Sequence, residues 1–308
     1  RLEYEGDGTN TDALIFADAR AITTDYFETS GRVEIDTNDD GDNSLTITAG
    51  GTVEYDADTA DFVDISRGVR ATFIAAGAVT LLFNNATFTT DDFHWPDAVT
   101  GSSVTVQVNG AAAHDIVTLH ESKSAGAVTV GDGVTGNATL VTGGTLSATG
   151  LTVAVDGIVT GTVNVSGDIT SAGTTTGTAI TVQGNATLTG GAPGALTFNG
   201  TTAQTLTAPT GGFALAANLT VNNAAGVTLA GGNIAANGGL TLTSGVLATG
   251  TGTLTILHAG PGAQGFTQTT TSCVYGNVKK TIIGTNVGAV NTTAPADRLQ
   301  FPLCTSTG

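Results

Sequence analysis

The sequence of 308 residues contains no methionine, a single tryptophan and few charged side chains, which make up 11% of the chain. No stretch approaches the roughly 18 to 20 consecutive apolar residues that a membrane-spanning helix needs. The 44 glycines and the many threonines disfavour helices of any kind. Together these shortages argue against a membrane span and predict a protein built from strands.

Basic residues are also scarce, since nine Lys and Arg stand against 26 Asp and Glu, for a net charge of −17. Binding to nucleic acid depends on clustered Lys and Arg that neutralise phosphates, so nucleic acid is excluded as a partner. The first residue is Arg1 rather than Met, and we therefore expect a mature or excised chain whose targeting segment has been removed. The expected location is extracellular, at the cell surface.

The acidic residues are unevenly spread along the chain. Of the 26, 22 lie between Glu3 and Glu121, whereas residues 126–270 contain three Asp and no Lys or Arg. This contrast predicts three segments. They are an acidic N-terminal β region of first, irregular coils (1–125), a Gly/Thr-rich segment (126–257) and a short C-terminal β segment (258–308).

A small unit recurs from about Gly126 onward: an apolar residue, then Thr or Asn, then another apolar residue, followed by a turn rich in Gly, Asn or Ala. Apolar residues two apart lie on the same face of a strand, so each unit predicts a very short, half-buried strand. Examples are Leu151-Thr152-Val153, Ile180-Thr181-Val182, Leu196-Thr197-Phe198, Leu219-Thr220-Val221 and Leu240-Thr241-Leu242.

These units follow one another too closely for intervening helices, and no two-residue hairpin signature joins them. Short strands linked by Gly-rich corners are typical of a solenoid, in which stacked coils bury a common core. We therefore expect an all-β fold with a parallel β-helix, in which Thr residues form rows on the outside. An antiparallel sandwich is the competing architecture, but it normally has longer strands and a more aromatic core.

The run from Leu196 to Ile256 contains the phrases TFNGTTAQT, NLTVNNAAGVTL and GLTLTSGVL. In these phrases the chain resembles the repetitive β-helical regions of large surface proteins exported by type IX secretion systems. The later phrases around Cys273 and Phe301 are similar to the pair that ends such regions. The resemblance covers about residues 190–304 and implies an adhesin-like surface protein, although members of that kind usually continue into further strands and a sorting domain.

The acidic run DTNDDGD places oxygen-bearing side chains at alternate positions before a Gly turn, which is the spacing of a calcium loop. The bidentate Glu expected at the twelfth position is absent, because Ile47 stands there. A solvated acidic turn is the alternative interpretation. The candidate calcium ligands are Asp36, Asn38, Asp40 and Asp42.

The only tryptophan, Trp95, lies beside Asp91, Asp92 and His94. An aromatic ring next to carboxylates is typical of carbohydrate-binding clefts, and paired acids could hydrolyse a glycosidic bond. A packed or interfacial loop is the alternative, because nothing else in the sequence supports a cleft.

The two cysteines, Cys273 and Cys304, lie in the terminal phrases, which we expect to pair as neighbouring strands. An even count in an exported protein favours a disulfide between them. The same region carries Lys279, Lys280 and Arg298 against a single Asp. A weakly basic tail and an acidic head favour head-to-tail contact between copies of the chain.

The sequence therefore indicates a non-enzymatic structural protein outside the cell, a subunit of a surface fibre or filament or an adhesive stalk. Assembly is expected to join β-helix edges head-to-tail, with a second copy as the partner and glycans or other cell surfaces as further candidates. Calcium is the one candidate cofactor. The alternative is a β-helical carbohydrate-active enzyme or carbohydrate-binding module centred on Asp91, Asp92, His94 and Trp95.

Overall fold

The computed structural model describes the backbone of the strands between residues 2 and 119, and residues 122–134, 138–258, 265–282 and 302–304. Side chains are described for residues 122–134, 138–257, 265–281 and 302–304. Every regular element in these ranges is a β-strand. Among the same residues there is no helix long and apolar enough to cross a membrane.

The chain divides into two units, Arg1–Val163 and Asn164–Gly308. The strands that begin in the first unit are β1 (Leu2–Glu5), β2 (Ala13–Phe16), β3 (Arg20–Thr24), β4 (Phe27–Ser30), β5 (Arg32–Ile35), β6 (Ser44–Ala49), β7 (Val53–Ala57), β8 (Arg70–Ala75), β9 (Ala78–Asn84), β10 (Phe93–His94), β11 (Ala98–Thr100), β12 (Ser103–Asn109), β13 (Asp115–Leu119), β14 (Lys123–Val130), β15 (Ala138–Val153) and β16 (Gly157–Val165).

The strands of the second unit are short, apart from two that turn corners without a break. They are β17 (Ile169–Ser171), β18 (Ala179–Val182), β19 (Ala186–Leu188), β20 (Ala195–Phe198), β21 (Gln204–Ala208), β22 (Phe213–Leu215), β23 (Asn218–Asn222), β24 (Val227–Gly231), β25 (Ile234–Ala236), β26 (Gly239–His258), β27 (Phe266–Gln268) and β28 (Ser272–Ile282).

In the first unit the strands pair in parallel with partners one coil away. One face carries β1, β4, β7, β9, β12, β14 and the end of β15. A second carries β3, β6, β8 and β11, and two further sets pair β10 with β13 and β15, and β2 with β5. The boundary expected near Gly126 falls inside β14, so the change of composition occurs within a strand.

The second unit has three faces, each a parallel stack. Face 1 contains β18, β20, β23, the start of β26 and β27. Face 2 contains β17, β19, β21, β24, the middle of β26 and the start of β28. Face 3 contains β22, β25 and the ends of β26 and β28. The fold is thus the predicted parallel β-helix, and β26 forms one coil of it as a single strand.

Alternation along the strands explains the core and the surface of the second unit. On face 1, Leu196, Leu219 and Leu240 are aligned in successive coils and each is at least 98% buried. The polar residues between the apolar ones face outward and form an aligned row, as predicted, and no charged residue interrupts it. That row is Thr181, Thr197, Thr220, Thr241 and Thr267.

Glycine makes the close approach of coils possible at some corners. Gly231 has a φ of 93°, and a Cβ atom there would collide with the carbonyl oxygen of Ala208 in the preceding coil. Only glycine combines this left-handed conformation with so little space.

Candidate functional site

The three Asp residues of the sparsely charged segment 126–270 all serve as caps for turns. Asp156 accepts hydrogen bonds from the backbone N–H of Asp132 and of Gly133, at 3.2 and 2.7 Å. Asp132 in turn accepts one from Val134, two residues on, at 2.8 Å. These carboxylates satisfy backbone donors in consecutive turns, a use that is structural.

Asp168 has the same role in the second unit, where it starts a small ladder of side chains across coils. Its Oδ1 accepts a hydrogen bond from the backbone N–H of Asn185 at 2.6 Å, and the Oδ1 of Asn185 accepts one from Thr205 at 2.8 Å. Each short polar side chain therefore fastens its own corner to the next coil. Each of the three carboxylates of this segment thus accepts at least one backbone hydrogen bond.

Two buried amides lie inside the coils between faces 1 and 2. Gln204 is 2% exposed and Asn223 is fully buried. The Nε2 of Gln204 donates to the carbonyl oxygens of Val182 and Gly184, and the Nδ2 of Asn223 donates to Gln204 Oε1 and to Thr202. Because these hydrogen bonds satisfy the two side chains, the pair supports the fold and does not form an open binding site.

Cys273 and Cys304 form the predicted disulfide. Between them, Val274 makes a parallel bridge to Leu303. The Val274 N–H donates to Pro302 O, and its carbonyl accepts from Cys304 N at 3.1 Å. The two phrases therefore lie side by side at an isolated bridge, although residues 302–304 do not form a strand.

The last coil that the structure describes in the second unit consists of β27 and β28, and we call it the final coil. Lys279 and Lys280, which were expected to act in assembly, are adjacent in β28 but face opposite ways. Lys279 is exposed and aligned with Thr255, whereas Lys280 is aligned with the fully buried Ile256 and is only partly exposed. Its Nζ lies 4.7 Å from the centroid of the Phe266 ring, and burial lowers the pKa of Lys280.

The sequence interpretation did not distinguish these two lysines. The signal was present, because Val278 and Lys280 are two residues apart and so share a face of the strand. Gln268 is a second polar residue whose position the sequence interpretation did not single out. It is aligned with the buried Leu242 of the preceding coil, although Gln268 itself is exposed. The final coil therefore places polar groups at inward positions.

Several predicted site residues lie outside the described residues. The candidate calcium ligands Asp36, Asn38, Asp40 and Asp42 do, as do Asp91, Asp92, Trp95 and Arg298. The backbone of His94 is described in β10, paired with Thr118. Among the residues with described side chains, no group of three His, Cys, Asp or Glu could hold a metal ion.

The stacked parallel strands define the class of protein as a parallel β-solenoid. A disulfide joins two residues of its C-terminal segment. No known protein family, curated protein or solved structure matches it.

Proposed function

We propose that this protein is a non-enzymatic structural component of an extracellular surface, a stalk that holds other parts of the surface at a distance. The observation that supports this role most is the use of the carboxylates in residues 126–270. Asp132, Asp156 and Asp168 all bind backbone amides, and the segment has no basic residue. General acid–base catalysis needs a titratable group at the substrate, and these groups are engaged in turns.

The second unit also suits a spacer because each coil interacts mainly with its neighbours. Aligned apolar residues bury one another from coil to coil, and aligned threonines cover face 1. The stability of such a stack is nearly the sum of the stability of each coil and of the interfaces between neighbouring coils. The number of coils can therefore vary without disrupting the rest of the stack. The disulfide supports the proposed extracellular location, because such bonds persist in oxidising compartments.

A fibre joined head-to-tail is the second form of this structural role. Its support is the distribution of charge, since residues 1–125 carry 22 acidic and six basic groups, whereas residues 259–308 carry three basic groups and one acidic group. Attraction between unlike ends would orient copies along one axis. The resemblance to type IX cargo suits either form.

The competing role, a carbohydrate-active protein, is tested by a panel of polysaccharides. The structural role predicts no turnover of any of them, and binding, where it occurs, that is unchanged in Trp95→Ala. Turnover by the wild type that disappears in Trp95→Ala, with the melting temperature preserved, would overturn the structural role.

A further inference from the structure

The corner that joins β20 to β21 contains an Asn–Gly pair, Asn199–Gly200. Asn–Gly is the dipeptide in which side-chain deamidation is fastest, because glycine has no side chain to hinder ring closure. In that reaction the backbone nitrogen of Gly200 loses its proton to solvent base and attacks Cγ of Asn199. The Cγ–Nδ2 bond breaks and releases ammonia, and water then opens the succinimide to aspartate or isoaspartate. Isoaspartate lengthens the backbone, so the reaction would disturb the corner.

Packing nevertheless requires a glycine at position 200. A Cβ atom there would collide with the backbone carbonyl oxygen of Gln183 in the preceding coil, and it would lie 2.9 Å from the amide carbon of Gln204. The carbonyl belongs to the backbone and cannot move without shifting the coil. The corner therefore cannot replace Gly200 by a larger residue that would slow the reaction.

The attacking nitrogen of Gly200 is held by Gln204. The Gly200 N–H donates to the Oε1 of Gln204 at 3.0 Å, and this hydrogen bond is buried. The amide of Gln204 is fixed in this orientation, because its Nε2 donates to the carbonyls of Val182 and Gly184. The proton that must leave is thus bound to a neutral acceptor away from solvent base, and the corner has to open before Gly200 can react.

The group under attack, the Asn199 amide, is shielded as well. Its Oδ1 is buried, and among the residues that the structure describes it has no hydrogen-bond partner. Attack at Cγ would place negative charge on this oxygen, and a developing oxyanion needs donors to stabilise it. Both reacting groups of the pair are therefore unfavourably placed for ring closure.

A second Asn–Gly pair, Asn237–Gly238, lies in a different setting. Both of its residues are exposed, and the Gly238 N–H donates to the backbone carbonyl of Ala217 at 3.2 Å. The second unit thus contains the same reactive dipeptide once in a buried corner and once at the surface, so the exposed pair is an internal reference.

We propose that Asn199–Gly200 is a latent deamidation site that Gln204 keeps closed in the folded protein. The buried amide of Gln204 then has a chemical role in addition to its structural one. This role goes beyond the function proposed above, because it concerns how long the folded chain keeps its covalent structure.

The wild type allows a first test, by incubation in mildly alkaline buffer and peptide mapping with mass spectrometry. In the folded protein, deamidation of Asn199 should be at least about tenfold slower than that of Asn237. In guanidinium, where both pairs are unfolded, the two sites should react at similar rates. Equal rates at the two sites of the folded protein would overturn the proposal.

The role of Gln204 itself is tested by substitution. Gln204→Leu removes the acceptor of the Gly200 N–H and should speed deamidation of Asn199 by at least about tenfold, with the rate at Asn237 unchanged. Asn223→Ala is the matched control, because it removes the two hydrogen bonds of the Asn223 amide from the same corner but leaves Gln204 to bind Gly200.

If Gln204→Leu does not fold, Gln204→Met, which keeps an unbranched side chain of similar length, takes its place. Equal acceleration at Asn199 in the Asn223→Ala control would show that general loosening of the corner decides the rate, and would overturn the role of Gln204. An unchanged rate at Asn199 in the folded Gln204 variant would overturn it too. None of these results bears on the polysaccharide test.

Discussion

The side-chain amide of Asn223 donates a hydrogen bond of 2.8 Å to the side-chain oxygen of Gln204, and both residues are buried. Gln204 also holds the carbonyls of Val182 and Gly184 in an earlier coil, so the pair fastens three turns of chain together. Polar groups inside a protein are costly when unpaired.

Gln204→Leu should therefore lower the free energy of unfolding by about 2 to 4 kcal/mol, because it removes the hydrogen bonds that the Gln204 amide makes to the Val182 and Gly184 carbonyls, to the Gly200 N–H and to Asn223. Denaturant titration measures the change. Gln183→Leu is the control, since Gln183 is exposed and its side chain should matter by less than about 0.5 kcal/mol. Equal effects of the two changes would show that the buried pair has no special role.

The disulfide should contribute measurably to stability. Cys273 and Cys304 are 31 residues apart, and closing a loop of this size restricts the unfolded chain by roughly 3 to 4 kcal/mol. The variant Cys273→Ser/Cys304→Ser should lose about that much, and a dithiol reductant should change the wild type but not the variant. The unfolded, unreduced wild type should contain no free thiol. Free thiols there, or a variant as stable as the wild type, would contradict the pairing.

The coil register predicts that a whole coil can be removed from the second unit. Leu219 is aligned with Leu240, so deletion of Leu219–Gly239 removes one coil and joins residues at equivalent positions. The shortened chain loses Asn223 and should melt at a lower temperature, but circular dichroism should still show strands and a cooperative transition. Deletion of residues 219–229 alone removes about half a coil and should abolish that transition. Equal behaviour of both deletions would refute the register.

Calcium binding by the loop of Asp36, Asn38, Asp40 and Asp42 stays a prediction. If the loop coordinates the ion, calcium should raise the melting temperature and Asp40→Ala should remove the gain. Glu28→Gln is a suitable control, because it also removes one negative charge but at a position outside the loop. Glu28 is aligned with Glu3 and Glu54 in neighbouring coils. A gain lost equally in both variants would indicate general charge screening, and no gain at all would leave the loop as a solvated turn.

Local spacing was sufficient to predict most of the fold. Apolar residues two apart, as in Leu219-Thr220-Val221, identify a strand and its inward face without any knowledge of its partner. The disulfide was predicted from the even number of cysteines and from the expected extracellular location. The inward orientation of Lys280 could not be predicted in this way, because it depends on the residues of the preceding coil with which β28 pairs. The distance along the chain between paired strand residues of the second unit varies from 16 to 27 residues, so the sequence does not fix that pairing. Gln204 could not be recognised as buried because it lies in a Thr-rich tract that is typical of a surface.

The location of the protein tests the proposed role most directly. Gold-labelled antibodies raised against the second unit, applied to intact source cells and to thin sections, show by electron microscopy where the chain resides. The surface role predicts gold on the outside of intact cells and little inside sections. Gold confined to the cell interior, with intact cells unlabelled although the antibody binds the purified folded protein, would contradict it.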